Sequence, residues 1–131
     1  IERVAARYLR GGWRIGLGSD VAGGHTLDLF TVMATAVQVS KLRWRYVDQR
    51  EKPLTMTEAL YMATVGGGDF WADFGEKVGL FEEGYALDAL VLDDDSLKNM
   101  RTFTPAERLE RYAYLGKGAL TAKFAQGKKL L

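Results

Sequence analysis

The chain has 131 residues, enough for one domain with a core of its own. Its 18 Lys and Arg against 17 Asp and Glu leave a net charge of +1, so no strongly basic face demands a nucleic acid or an anionic membrane. It contains no cysteine, which excludes disulfides and thiolate metal sites and leans toward the cytosol, and no apolar run approaches the roughly 18 residues of a membrane span.

Ile1, Val4, Ala5, Tyr8 and Leu9 fall at helical spacing and predict a first helix over residues 1–10. Gly11 and Gly12 should stop it, because glycine takes the left-handed position after a helix at little cost. Trp13, Ile15 and Leu17 then alternate with Arg14, Gly16 and Gly18. That alternation predicts a strand ending at Ser19 and Asp20, its glycine face close to a neighbouring element. From Asp28 to about Val47, Leu29, Val32, Met33, Ala36, Val37, Ser40 and Trp44 recur every three or four residues, the stripe of a long amphipathic helix. Thr26 or Asp28 is placed to cap it, and Lys41, Arg43 and Arg45 complement the dipole near its end.

Residues 48–53 read as a polar connection. Thr55 and Glu58 form a capping box, opening a helix expected to run through Leu60 and Ala63 and to break at Gly66, Gly67 and Gly68. Residues 69–86 mix Phe70, Trp71, Phe74 and Phe81 with glycines and predict a short helical turn and tight loops. Residues 87–92 predict a strand. Thr104, Pro105 and Glu107 open another helix, which should end near Gly116. Residues 120–125 and 128–131 flank Gln126 and Gly127 as a hairpin. A strand followed by a long amphipathic helix is an α/β unit. One such unit cannot close a barrel and leaves an apolar strand edge open, so the chain is expected to belong to something larger.

The candidate chemistry centres on Asp20. A carboxylate at a strand end, followed by Val21, Ala22, Gly23 and Gly24, suits a divalent metal or a catalytic proton, and equally a plain turn aspartate. His25 is the only histidine, and reads either as a substrate or metal contact or as a loop residue. One histidine and scattered carboxylates do not make an autonomous zinc site, which commonly needs three or more protein ligands. Gly16, Gly18 and their neighbours lack the third glycine of a dinucleotide fingerprint and the lysine of a phosphate loop. Asp93, Asp94 and Asp95 lack the glycine and terminal glutamate of a calcium loop and read as a solvated turn. Lys41, Arg43, Arg45 and Arg50 are diluted by Asp48 and Glu51 and read as a solvated face.

The run from Gly16 to Gly24 closely resembles the last barrel strand of guanine deaminases, within the metal-dependent amidohydrolase superfamily. A second block agrees with that superfamily's C-terminal signature: Leu54, Thr55, Glu58, Ala59, Ala63, Thr64, Gly66 and Gly67, then Gly75, Val78 and Gly79, then Phe81 to Gly84 and Asp88 to Leu92. A third, from Glu110 and Arg111 through Tyr114 to Gly116 and on to Gly127 and Lys128, resembles its closing helix and hairpin.

The resemblance implies that Asp20 ligates a catalytic zinc, or another divalent metal in its place, and helps take a proton from the water activated there as guanine is converted to xanthine and ammonia. Gly23 and Gly24 would let the backbone pass close to the purine, with His25 beside them. Ser19 stands where the family often has threonine. The family's metal histidines, catalytic glutamate and purine-reading segments are not in this sequence.

The expected architecture is therefore α/β: residues 1–80 as the last strand and helices of a metal-dependent hydrolase TIM barrel, incomplete here, and residues 81–131 as part of a small composite β-sandwich with an intervening helix returning to the barrel. The resemblance implies a cytoplasmic homodimer with a purine substrate, the long helix near the interface, and the rest of the barrel supplied by upstream sequence. The isolated 131 residues are expected to be inactive. The alternatives are another amidohydrolase acting on an aminopurine or a triazine, or a non-catalytic structural module.

Overall fold

A computed structural model describes residues 2–97, 101–116 and 119–131. Helix α1 spans Glu2–Arg10. Gly12 follows at φ 80°, and the Trp13 amide closes the turn on the Tyr8 carbonyl at 2.9 Å. Helix α2 spans Leu29–Tyr46 and starts where Asp28 caps it, accepting from the amides of Phe30 and Thr31. Thr26 supports the cap by accepting the Asp28 amide at 3.0 Å.

Helix α3, Met56–Tyr61, opens on the expected capping box of Thr55 and Glu58. It does not break at the glycines. Met62–Gly66 continues as a π turn, and α4 follows over Gly67–Ala72. Gly66 and Gly67 hold ordinary right-handed helical angles, φ −62° and −69°. Gly66 and Gly68 are required by packing rather than by a turn: a Cβ on Gly66 would collide with the Ile15 carbonyl, and one on Gly68 with the Val78 carbonyl.

The expected strand before Asp20 is also corrected. Residues 13–19 lie in no helix or strand and have no strand partner among the described residues. Strand identity requires a ladder, and beyond the Trp13 turn this segment has a single main-chain bond among the described residues, from the Leu17 amide to the Met62 carbonyl, 2.9 Å.

The sheet is antiparallel, in the order β1–β2–β3. Strand β1 is Ala89–Asp93, β2 is Ala119–Ala125 and β3 is the short Lys128–Lys129. Ala89 faces Phe124 and Asp93 faces Ala119, with a bulge between Val91 and Leu92. Gln126 (φ 49°) and Gly127 (φ 76°) make the hairpin turn, as two left-handed residues allow. Helix α5, Pro105–Leu115, has its capping box at Thr104 and Glu107 and ends on Gly116 at φ 58°.

The core sits where α1, α2, α3 and α5 meet. Met33 and Val37 of α2 pack with Met56, Ala59 and Met62, closed by Leu54, Ala6 and Ala113. Ser40 is the buried polar residue here, and it is satisfied: its hydroxyl donates to the Val37 carbonyl and accepts the Leu54 amide. Ile15 and Leu17 lay residues 13–19 onto this cluster. The aromatics of α4 do not join it. Phe70, Trp71 and Phe74 stack on one another with centroids 5.3 to 6.2 Å apart and remain more than half exposed.

Candidate active site

Asp20 owes its position to two kinds of contact. The first fixes the segment that carries it. Beyond the Leu17 bond to Met62, Gly16 lies so close to α4 that a Cβ there would be 3.2 Å from the Gly67 Cα. Arg14, earlier in the segment, donates to the Asp69 carbonyl and pairs with the Asp73 carboxylate at 3.2 Å.

The second is the turn itself. Asp20 (φ 48°) and Ala22 (φ 77°) both take the left-handed region, and the amides of Gly23 and Gly24 return to the Asp20 carbonyl. Left-handed backbone at a non-glycine residue is strained and persists only where surroundings impose it. The glycines are what let the turn close. A Cβ on Gly24 would collide with the Ser19 carbonyl, and one on Gly23 would sit 2.6 Å from Asp20 Oδ2. The Asp20 carboxylate thus folds over bare backbone. It is exposed, and it has no hydrogen-bonding or charged partner among the described residues.

His25 is exposed and lies between this turn and the Thr26–Asp28 cap of α2. Asp20, Gly23, Gly24 and His25 therefore belong to one short loop between residues 13–19 and α2. Among the described residues no group of three His, Cys, Asp or Glu side chains is placed to hold a metal, at Asp20 or elsewhere. The donor set fits one corner of a metal site and not a whole one.

The other charged clusters are structural. Arg50, through its guanidinium and its amide, holds the Asp48 carboxyl far below the usual carboxylate range, and Arg43 adds to the effect. Asp94 pairs with Arg108 at 2.6 Å, and Asp93 accepts the Asp95 amide, so the acidic run is a turn tied to α5.

Two clefts flank residues 13–19. One, of 540 Å³, lies between Arg14, Gly18, Phe70 and Asp73. The other, of 410 Å³, is apolar and lies between Ala5, Tyr8, Trp13 and Met62. Asp20 lines neither. Sequence reasoning missed the anchoring role of Arg14, whose only local hint was the acidic pair Asp69 and Asp73 one helical turn apart. It missed the Met62 carbonyl altogether, since a backbone acceptor leaves no trace in residue identity.

The Amidohydrolase family profile matches residues 1–128. The guanine deaminase of Dictyostelium discoideum is 27% identical over 129 residues, covering 95% of this chain and 28% of that protein. The human guanine deaminase is 37% identical over 81 residues, covering 61% of this chain and 17% of its own length. Among solved structures, the crystal structure of guanine deaminase from C. acetobutylicum with guanine bound in its active site aligns with a TM-score of 0.81 and 41% identity, over 96% of this chain and 29% of that one. The E. coli guanine deaminase shares the fold, with a TM-score of 0.71 at 21% identity. The chain thus spans less than a third of the length of these relatives. With the profile match running almost end to end, the chain belongs to the amidohydrolase family.

Proposed function

We propose that this chain is the C-terminal portion of a guanine deaminase, and that Asp20 is its contribution to the catalytic centre. In that reading residues 1–80 supply the helices and the last strand of the hydrolase barrel, with residues 13–19 becoming a strand only beside the neighbours of the complete barrel, and residues 81–131 supply part of a small β-sandwich. The observation that carries the reading is the unpartnered Asp20 carboxylate on a glycine-closed turn, in a chain 41% identical to a deaminase with bound guanine.

Amidohydrolases are generally metal-dependent, and the metal proposed here is zinc, with Asp20 one ligand and the others supplied by the rest of the full-length protein. When bound, the metal activates water for attack and polarises the reacting group. Asp20 accepts a proton from the attacking water as the oxygen adds to the ring carbon bearing the amino group. The carbon–nitrogen bond then breaks, a proton passes to the departing nitrogen, and guanine plus water become xanthine plus ammonia. Gly23 and Gly24 allow the loop backbone to approach the purine, and His25 stands at its rim. The full-length protein is proposed to work in the cytoplasm as a homodimer, with α2 near the interface, where Tyr46 and Val47 are more than two-thirds exposed.

Ammonia release tests this reading. The full-length protein should release ammonia from guanine with a kcat/KM at least about 100-fold above that for adenine or melamine, because a site built around one set of purine edges rejects analogues that leave its polar groups unpaired. Preference for a triazine or for adenine would overturn the substrate, and no ammonia from any of them would overturn the enzyme.

A further inference from the structure

We infer that the π turn Met62–Gly66 is a positioning device that sets where Asp20 stands, an inference that rests on the reading of Asp20 as catalytic. π turns inside α-helices are rare and recur at functional sites because they displace a carbonyl from its usual direction. This one is engaged on two sides. Its first residue, Met62, gives its carbonyl to the Leu17 amide at 2.9 Å. Its last, Gly66, lies against the Ile15 carbonyl with no room for a Cβ. A second segment touches it as well: Gly79, at φ 91°, packs on the Thr64 carbonyl, where a Cβ would come within 2.6 Å. The turn is therefore held against both residues 15–17 and the loop at residues 78–79, backbone against backbone.

Leu17 is three residues before Asp20. A connection this short transmits displacement, so a shift at Ile15 and Leu17 reaches the carboxylate. A 1 Å misplacement of a reacting group can cost about 10²-fold in rate. Arg14 supplies the second anchor, tying the start of the segment to α4 and to Asp73. Gly66 and Arg14 are positioning residues in this scheme and touch no substrate.

The adjacent glycines provide the test. Gly66→Ala and Gly67→Ala bring the same gain in helix propensity, since both positions have right-handed angles. A Cβ on Gly67 meets only the Met62 carbonyl at 3.8 Å, an ordinary contact. In the full-length protein G67A should keep kcat within about twofold of wild type. G66A should lower kcat about 10²-fold at nearly unchanged KM. Hydrogen exchange should quicken at the Leu17 amide in G66A while the amides of α2 keep their protection. Wild-type kcat in G66A, unchanged exchange at Leu17, or equal losses in both variants would each overturn the inference. Should G66A fail to fold, Arg14→Gln at an exposed site should lower kcat about tenfold at unchanged KM, and an unchanged kcat there overturns it too. Asp20→Asn in parallel separates the two ideas. An active D20N removes the reading of Asp20 and this inference with it, whereas an inactive D20N beside a wild-type-like G66A removes the positioning role alone.

Discussion

Asp20→Asn in the full-length protein is expected to lower kcat for guanine by roughly 10²- to 10⁴-fold while leaving the thermal stability of the metal-free protein unchanged or slightly raised. The substitution keeps size and shape and removes the charge and the proton acceptor. Asp20 is exposed and has no partner among the described residues, so no contact within this chain is lost and the one bond given up is that to the proposed metal. Its backbone sits at φ 48°, a region asparagine enters readily, so the turn should be kept. Kinetics and a melting curve of the metal-free protein check both halves. A variant that melts normally and still turns over guanine at the wild-type rate would remove Asp20 from the chemistry.

Arg10→Ala is expected to cost about 1–3 kcal/mol of stability at neutral pH, toward the lower end because both partners keep some contact with water. Arg10 is the last residue of α1, yet its guanidinium binds two later pieces of chain. It meets Glu58 in a two-pronged pair at 2.8 and 3.0 Å, and it donates to the carbonyls of Lys52 and Pro53 at 2.8 and 2.9 Å. The same Glu58 closes the α3 capping box by accepting the Thr55 amide at 2.8 Å. Truncating Arg10 thus loosens the approach to α3 as well as a salt bridge.

The effect carries a pH signature. The Arg10 hydrogen bonds hold the Glu58 carboxyl below the usual glutamate range, with the Thr55 cap helping against partial burial. A depressed folded-state pKa stabilises the fold above the unfolded-state value, about 4.3 for glutamate, and that contribution is lost as pH falls through the folded-state value. The stability difference between wild type and R10A should therefore be constant near neutrality. It should shrink below about pH 4.3 as Glu58 is protonated, down to the pH-independent part carried by the bonds to the Lys52 and Pro53 carbonyls. Urea titrations across that range measure it, and a gap that persists undiminished in acid would assign the loss to those carbonyl bonds rather than to the Glu58 pair.

Local chemistry was legible in the sequence. Both capping boxes, the Asp28 cap, the glycine stop after Tyr112's helix and the hairpin at Gln126 and Gly127 are set by residues within a few positions of one another, and all appear as expected. What failed depends on distant partners. Gly66, Gly67 and Gly68 look like a helix breaker by propensity alone, but the Ile15 and Val78 carbonyls need bare backbone there, and packing overrides propensity. The alternation from Trp13 to Gly18 is strand-like, but a strand also needs neighbours, and residues 13–19 have none among the described residues. At the candidate site, Asp20 and the two glycines could be found from order along the chain. Met62 and Arg14 could not, because their partners lie 45 or more residues away.

The first measurement is metal analysis of the full-length protein beside the isolated 131 residues, because this chain is proposed to hold one corner of a catalytic site completed elsewhere. About one zinc is expected for each full-length chain and none above background on the isolated residues, since Asp20 alone is too few ligands. An isolated chain that retains about one zinc, or a full-length protein that turns over guanine without metal, would contradict that proposal.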